Sequence, residues 1–234
     1  VVLEAPAPLL RVLKGLAGVD EWAIQGQPLP AFDVHCPLLS LPLALDTQLD
    51  TIPDPGPYLW APAHQKQQWA DVLCSHQALR VGLVFSGSIE HDNDHNRSIR
   101  LEQLWPHLPK GPEYICLQKE VRSTDQACLD TSGMVAHGQR LHDFADTAGL
   151  IDALDLVISV DTSVAHLAAA MGKPTWVLLP YAPDWRWMID RTDSPWYRSM
   201  RLWRQDASRL WDSVLLQMSQ ALTAWQTKQH FASY

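Results

Sequence analysis

The chain has 234 residues, 47% of them hydrophobic, and a formal net charge of −8 at pH 7. This length suffices for one large domain or two modest ones. The acidic balance argues against nucleic acid as a partner, because phosphate backbones select basic surfaces. No apolar run reaches the roughly 20 residues of a membrane span, and the first ten residues lack the basic segment and cleavage site of a signal peptide. We therefore expect a cytoplasmic protein without a membrane span.

The four cysteines form no C-x-x-C pair and no array with the spacing of a zinc site. We expect Cys36, Cys74, Cys116 and Cys128 to be reduced and mostly buried, with a structural disulfide as the less favoured alternative. The cysteines therefore indicate no metal site.

The first 53 residues contain short periodic segments. They predict a buried strand at 1–4, a helix near 9–16, a strand at 21–24 and a helix near 38–45. Because the sequence opens directly on a strand, we expect the first residue to lie inside a domain. Four prolines and a glycine then fall within residues 52–62, a composition that regular structure does not tolerate. We expect a domain boundary there.

From residue 81 onward, strand-like and helix-like segments alternate. The predicted strands are 81–86, 114–118, 134–137, 156–160 and 175–179. The predicted helices are 101–108, 141–150, 162–172 and an amphipathic C-terminal helix around 211–225. Such alternation indicates βαβ units and a parallel sheet, and ligands of such sheets bind beyond the carboxyl ends of the strands.

The strongest local motif is LVISVDTSVAHLAAAMGKP, in which a buried strand ends and Asp161, Thr162 and Ser163 open a helix. The first amides of a helix lack intrahelical partners and lie at the positive end of its dipole, so they favour an anion. His166 lies one turn beyond Thr162 on the same face. The alternative is that Asp161 only caps the helix and His166 is structural.

A second motif, VGLVFSGS, follows the first strand of the alternating region. Gly87 permits close approach of a ligand to the backbone, and Ser86 and Ser88 offer hydroxyl donors. Arg97 follows in a polar loop. An ordinary strand-to-helix turn is the alternative interpretation.

Two further polar features lie nearby. Gln118 and Lys119 follow the next strand, where a cation could neutralise a diphosphate, although a solvated lysine explains them as well. Asp92 and Asp94 form a D-x-D that could hold a divalent metal, but a solvated loop is favoured and we expect no metal.

The segment 180–205 contains four tryptophans and two tyrosines. Aromatic and arginine planes can stack on a base or a sugar. We favour a structural role, in which most of these rings cover the seam where the C-terminal helix returns.

The motifs SGS…NDHNRSI, LQKE, DFADTAGLIDALDLVISVDTSVAHLAAAMGKP and LLPYAPDWRWMIDRTDSPWYRSMRLWRQ together resemble the C-terminal catalytic region of bacterial tetratricopeptide-repeat proteins that look like O-linked N-acetylglucosamine transferases. The D-T-S-x-x-H segment is also similar to the donor site of lipopolysaccharide heptosyltransferases. The resemblance covers nearly the whole chain. It implies an α/β fold of the GT-B type, in which two Rossmann-like domains face a cleft and the C-terminal one binds the donor nucleotide. The implied division is 1–53 as a truncated N-terminal acceptor domain, 54–62 as linker, 63–205 as donor domain and 206–228 as a crossing helix.

The resemblance also implies which residues bind the donor. Helix-start residues would hold the diphosphate, Asp161 would organise their turn, and residues after the first two strands would complete the site. The implied set is Ser86, Gly87, Ser88, Arg97, Gln118, Lys119, Asp161, Thr162, Ser163, Val164 and His166.

The implied activity is a metal-independent, inverting transfer of a sugar, with UDP-N-acetylglucosamine as first donor and ADP-heptose as second. The acceptor, a protein or a glycan, stays unidentified. No catalytic residue is assigned, because the family's acceptor-side groups, its general base included, lie upstream of residue 1. A non-catalytic nucleotide-sugar-binding module and a scaffold remain alternatives. An epimerase is disfavoured because the donor loop offers Thr, Ser and His where carboxylates would be needed.

Overall fold

In the computed structural model, residues 1–74 and 78–232 are described, and they form two parallel sheets. β1 and β2 make a small sheet near the N-terminus, and six strands make the large one. The strands are β1 (Val2–Ala5), β2 (Glu21–Ile24), β3 (Arg80–Val84), β4 (Glu113–Cys116), β5 (Val135–Ala136), β6 (Leu156–Val160), β7 (Thr175–Leu179) and β8 (Met200–Arg204).

The large sheet has the strand order β5-β4-β3-β6-β7-β8, and every neighbouring pair is parallel. From β3 the chain first adds strands on one side and then returns to add β6, β7 and β8 on the other. The order therefore reverses between β3 and β6. In open α/β sheets, the crevice at such a reversal is where ligands bind.

Helices cover both faces of the large sheet. The described helices are α1 (Leu10–Leu13), α2 (Leu41–Ala44), α3 (Ala63–Leu73), α4 (Asp94–Arg97), α5 (Leu101–Leu104), α6 (Ser123–Ser132), α7 (Phe144–Asp152), α8 (Ser163–Ala170) and α9 (Asp212–Ala232), and α2 has no buried residue. Short 3-10 helices lie at Ala7–Leu9, Leu38–Ser40, Trp105–His107, Gly138–Arg140 and Trp185–Trp187. α5, α6 and α9 pack on one face, and α3, α7 and α8 on the other.

The centre of the sheet follows the sequence pattern closely. β6 and β7 are buried along their whole length, as the continuous apolar runs predicted. The small residues of α8 are also buried: Ala165 and Ala168 are fully inaccessible. Since an alanine side chain is short, α8 lies close to the sheet, and its first turn is held at the strand ends.

The N-terminal prediction was wrong in one respect. The segment predicted as a buried strand does form β1, but Ala5 is its one buried residue, while Val1 is 74% exposed and Val2 39% exposed. β1 has a single neighbour, β2, and no described helix covers its outer face. An apolar run predicts burial only where a second layer exists.

The predicted linker 54–62 packs firmly on the large domain. The amides of Tyr58 and Leu59 both donate to the carbonyl of Ala170, at 2.9 and 3.2 Å. Leu59 and Ala61 are 7% and 6% exposed. The N-terminal segment also contacts this domain, since Val12 is buried in the same core as α7. The four-part division of the chain stays a prediction.

The cysteine prediction was partly wrong. All four cysteines are free, as expected, but Cys36 and Cys74 are exposed and only Cys116 is buried. Burial raises the pKa of the Cys116 thiol to about 11.

No described helix is both long enough and apolar enough to cross a membrane. The cytoplasmic location stays a prediction.

Candidate functional site

A cleft of 1220 Å³ opens beyond the carboxyl ends of β3, β4 and β6. It lies at the reversal of strand order, where the fold predicts a ligand. Nine of the residues singled out from the sequence line it: Ser86, Gly87, Ser88, Arg97, Gln118, Lys119, Thr162, Ser163 and Val164. Asp161 and His166 are not among its lining residues.

The first turn of α8 forms one wall of this cleft. Thr162 is the N-cap in extended conformation, and no side chain caps the helix. Its hydroxyl instead lies 3.0 Å from the Ser159 hydroxyl, which donates to the Val160 carbonyl. The amides of Ser163 and Val164 therefore begin the helix without a side-chain acceptor. Such amides, at the positive end of the dipole, suit an anion.

Arg97 joins the β3 turn to the β6 turn. Its Nη1 donates to the Asp161 carbonyl at 2.8 Å, so Asp161 contributes its backbone to the site. A Cβ on Gly87 would lie only 2.4 Å from Nη2 of Arg97. Glycine is therefore required at position 87 for the guanidinium to lie against the backbone. This explains the glycine more specifically than the predicted close approach of a ligand does.

Gln118 is a buried organiser of the β3 turn. Its Oε1 accepts from the amides of Phe85 and Ser86, at 2.9 and 3.0 Å, and its Nε2 donates to the Ser86 hydroxyl at 2.9 Å. Gln118 and Ser86 are each 7% exposed. Gln118 and Ser86 thus bond mainly to each other, and they position the loop that follows.

Lys119 contributes an exposed cation to the cleft. None of the described carboxylates forms an ion pair with it. The close packing of Gly138 fixes its backbone, since a Cβ there would lie 2.2 Å from the Lys119 carbonyl oxygen. The lysine therefore has an ordered base and a free ammonium group.

Two charged residues of the site were not predicted as binding groups. Arg122, the N-cap of α6, lines the cleft and donates through Nη2 to the Gly87 carbonyl at 3.0 Å and to the Asp94 carboxylate at 2.5 Å. Asp94 is 7% exposed and also accepts from the Ser98 hydroxyl at 2.8 Å. One half of the D-x-D is thus engaged by an arginine, while Asp92 is exposed. Nothing in the sequence local to Arg122 distinguished it from a surface arginine.

Among residues 1–74 and 78–232, no group of three or more His, Cys, Asp or Glu side chains is arranged to hold a metal ion. The absence of a metal from the reaction stays a prediction.

The start of α7 forms another wall of the cleft. Asp143, Phe144 and Thr147 line the cleft there. Asp143 caps α7 by accepting from the amides of Ala145 and Asp146, and it pairs with Arg11 at 2.9 Å. The N-terminal segment contributes Pro8 to the lining. The signal for this wall was present in the sequence, because an Asp before an apolar helical run is a typical N-cap.

His166 lies on the side of α8 that meets the aromatic segment. Its ring stacks on the fully buried Trp187 with 4.9 Å between centroids, and its Nδ1 lies 3.2 Å from the Tyr197 hydroxyl. Burial lowers the pKa of His166, with Asp161 opposing and Arg186 adding to the shift. These contacts fit the alternative in which His166 is structural, and its role toward a donor stays a prediction.

The aromatic segment is mostly structural, as expected. Trp187 is fully buried, and Trp203 packs with Trp211 in the core beneath α9. Trp185 is the exception, since it is 57% exposed with the Arg186 guanidinium 4.7 Å from its ring centroid.

Taken as chemistry, the cleft offers an uncapped helix start, one free ammonium and two guanidinium groups. Asp94 offsets one of these charges from within the wall, and the carboxylates of Glu90, Glu120 and Asp143 also line the cleft. Helix amides and cationic forks are the groups that hold phosphate oxygens in proteins. The arrangement is therefore suited to a diphosphate, and Thr162 and Ser163 supply further hydroxyls.

Comparisons with known proteins find similarity in the same part of the chain. The sequence model of Glycosyltransferase family 9 (heptosyltransferase) matches residues 140–196, which include the walls formed by α7 and α8. The solved structure of the ADP-heptose LPS heptosyltransferase II of E. coli is similar to this chain, with a TM-score of 0.50 at 16% sequence identity. The similarity covers 77% of this chain and 57% of the heptosyltransferase, so the chain spans a little over half of that protein's length. Comparison with curated proteins finds no match.

The structural similarity confirms the predicted fold class, an α/β domain with a parallel sheet similar to the heptosyltransferase GT-B fold. It also supports the predicted likeness to lipopolysaccharide heptosyltransferases. Neither comparison supports the likeness to tetratricopeptide-repeat transferases.

Proposed function

We propose that this cleft binds the diphosphate of a nucleotide sugar, and that the chain is the donor-binding part of a glycosyltransferase. The observation that carries the proposal is the uncapped start of α8, which opens into a cleft beside Lys119 and Arg97 at the reversal of strand order. Breaking the bond between the sugar and the diphosphate leaves negative charge on the phosphate oxygens. Fixed donors aimed at that charge stabilise the transition state.

The diphosphate is bound without a metal in this proposal. The positive field comes from the α8 amides, Lys119 and the guanidinium groups, and the buried carboxylate of the D-x-D, Asp94, is occupied by Arg122. We expect affinity for a nucleoside diphosphate to survive a chelator. A loss of binding in EDTA that manganese restores would overturn this part of the proposal.

We infer an ADP-linked sugar of the heptose class as the first donor to test. The family 9 match spans the two helix starts that line the cleft, and this similarity favours ADP-heptose over UDP-N-acetylglucosamine. The donor predicted first from the sequence resemblance, UDP-N-acetylglucosamine, becomes the second candidate. The acceptor is a protein or a glycan that the cleft residues do not identify.

A thermal-shift screen of the chain against ADP, UDP, GDP and their sugars tests the proposal. A ligand at a hundredfold excess over its Kd stabilises the folded state by about 2.7 kcal/mol, which corresponds to roughly 5–10 °C in Tm for a chain of this size. Selective stabilisation by ADP supports the heptose donor, and selective stabilisation by UDP supports UDP-N-acetylglucosamine. If no nucleotide shifts Tm at millimolar concentration and calorimetry detects no heat of binding, the proposal is wrong and a scaffold role is favoured.

A separate measurement has to distinguish a chain that transfers the sugar from one that only binds the nucleotide sugar. The chain spans 57% of the heptosyltransferase structure that it resembles, so hydrolysis or transfer of the donor sugar has to be measured separately. Nucleotide binding with no sugar release in the presence of candidate acceptors would favour a nucleotide-sugar-binding module.

A further inference from the structure

Two arginines on different turns of the cleft share a single buried carboxylate. Asp94 is 7% exposed, and its two oxygens face different partners. Oδ2 accepts from Nη2 of Arg122 at 2.5 Å, while Oδ1 accepts from the Ser98 hydroxyl at 2.8 Å and lies 3.8 Å from Nε of Arg97. The carboxylate is thus saturated by protein groups.

Each arginine is held by more than this ion pair. Arg122 also donates to the Gly87 carbonyl at 3.0 Å, and Arg97 donates to the Asp161 carbonyl at 2.8 Å. Between them, the two side chains tie together the turns after β3, β4 and β6. Both are largely buried, with side-chain exposures of 11% for Arg97 and 27% for Arg122, and both line the cleft.

The charge of this cluster is not balanced. Two guanidinium groups face one carboxylate, so the wall keeps a net positive charge. The Nε atoms of both arginines are buried and have no hydrogen-bond partner among the described residues. An incompletely paired guanidinium costs free energy unless another anion compensates it. Because both Nε atoms are enclosed, a further anion can meet the net positive charge of the cluster only from the cleft side, through the outer guanidinium nitrogens of the two side chains that line it.

We propose that Arg122 and Arg97 form an anion-binding wall for the donor diphosphate, and that Asp94 is the positioning residue that holds both guanidinium groups in place. This rests on the proposed function of the cleft and deepens it. Asp94 of the D-x-D then orients two arginines where a metal-dependent site would use it as a ligand. Arg122, which the sequence did not indicate, becomes a specificity residue for the diphosphate.

Substitution of Asp94 separates this role from simple electrostatics. Removing a negative charge beside an anion site should tighten anion binding by Coulomb attraction alone. If Asp94 orients the arginines, Asp94→Asn should instead weaken binding of ADP and of inorganic pyrophosphate by about tenfold, the effect of one lost charge-assisted hydrogen bond. The matched control is Asp92→Asn, because Asp92 is exposed in the same motif. Its affinity should stay within about twofold of the unmodified chain, as for most surface changes.

A second variant covers the case in which Asp94→Asn does not fold. Arg122→Lys keeps the charge but removes the guanidinium, whose Nη2 donates to both Gly87 and Asp94 while its other outer nitrogen stays available to an anion. It should also weaken pyrophosphate binding by about tenfold. Its control is Arg100→Lys, since Arg100 has 57% side-chain exposure and does not line the cleft. A merely structural role would lower Tm and leave the affinity of the folded protein unchanged.

Calorimetry with ADP and with pyrophosphate, each with and without EDTA, distinguishes the outcomes. Weaker binding in both variants, equal with and without EDTA and absent from both controls, supports the anion wall. Tighter binding in Asp94→Asn overturns the positioning role, and a defect that appears only with added divalent metal assigns Asp94 to a metal and overturns it as well. If the unmodified chain binds ADP but both variants bind it equally well, this inference alone fails. If the unmodified chain binds neither probe, the proposed function fails with it.

Discussion

Replacing His166 by alanine tests whether this residue of the D-T-S-x-x-H motif contributes to packing or to ligand binding. The substitution removes the stack on Trp187 and the contact between Nδ1 and the Tyr197 hydroxyl. A stacked aromatic pair contributes about 0.5–1.5 kcal/mol and a neutral hydrogen bond about 1 kcal/mol. We expect the free energy of unfolding to fall by about 2 kcal/mol, which is about 4–8 °C in Tm for this chain length.

The matched variant Tyr197→Phe deletes only the hydroxyl that lies 3.2 Å from Nδ1 of His166. It should cost about 1 kcal/mol, or roughly 2–4 °C. Thermal unfolding and ADP calorimetry on both variants decide the role of His166. A loss of diphosphate affinity of tenfold or more in His166→Ala, with Tyr197→Phe unaffected, places the imidazole on the ligand. Unchanged affinity with a lowered Tm assigns it to packing. A destabilisation below about 0.5 kcal/mol, the level of an ordinary surface change, would refute the packing argument.

Three other predictions concern stability and charge. Gly149→Ala should lower the free energy of unfolding by about 1 kcal/mol. Its Cβ would lie 2.9 Å from the Gln65 carbonyl oxygen and overpack the contact between α3 and α7, at a cost of about 1–3 kcal/mol that exceeds the roughly 1 kcal/mol gained in helix propensity. An increased Tm would contradict this. Burial lowers the pKa of both His137 and His166, so the unfolded chain binds more protons below about pH 6.5. Stability should be full above that pH and fall as pH drops through the folded-state values; a Tm that is flat between pH 7.5 and 5.5 would count against it. Lys119→Met should weaken ADP binding by about tenfold and reduce its salt dependence, and an unchanged affinity in calorimetry would remove the lysine from the site.

The central strands were predictable because their environment is uniform. β6 and β7 were predicted with the bounds that the structure shows, since both are covered on two faces and have mostly apolar sequences. α3 and α6 were missed, because their polar sequences carry little apolar periodicity. β1 was found but given the wrong burial, because a strand's exposure depends on what packs over it and the sequence pattern does not specify that layer.

In the candidate site too, features set by neighbouring residues in the sequence were predictable, and features set by residues far apart in the sequence were not. Turn residues such as Thr162 and Ser163 were predictable, because a helix start after a buried strand is a local pattern with a local consequence. Arg122 was not, because its value depends on Asp94, which lies 28 positions earlier in the chain. Only the parallel sheet brings the two turns together. Long-range pairs of this kind are invisible to motif spacing in a single sequence.

Two pairs of the predicted residues bond to each other, and this affects how the cleft binds a ligand. Gln118 holds the β3 turn, and Arg97 ties that turn to the Asp161 carbonyl. These bonds fix the backbone before any ligand arrives, so binding orders few additional groups. Preorganised donors retain more of their interaction energy with a charge that develops on the leaving diphosphate. Lys119 and Ser163 are exposed, and their side chains make no hydrogen bond or ion pair within residues 1–74 and 78–232. Their contacts can therefore change between donor and leaving group, and substitutions there should alter turnover more selectively than substitution of Gln118.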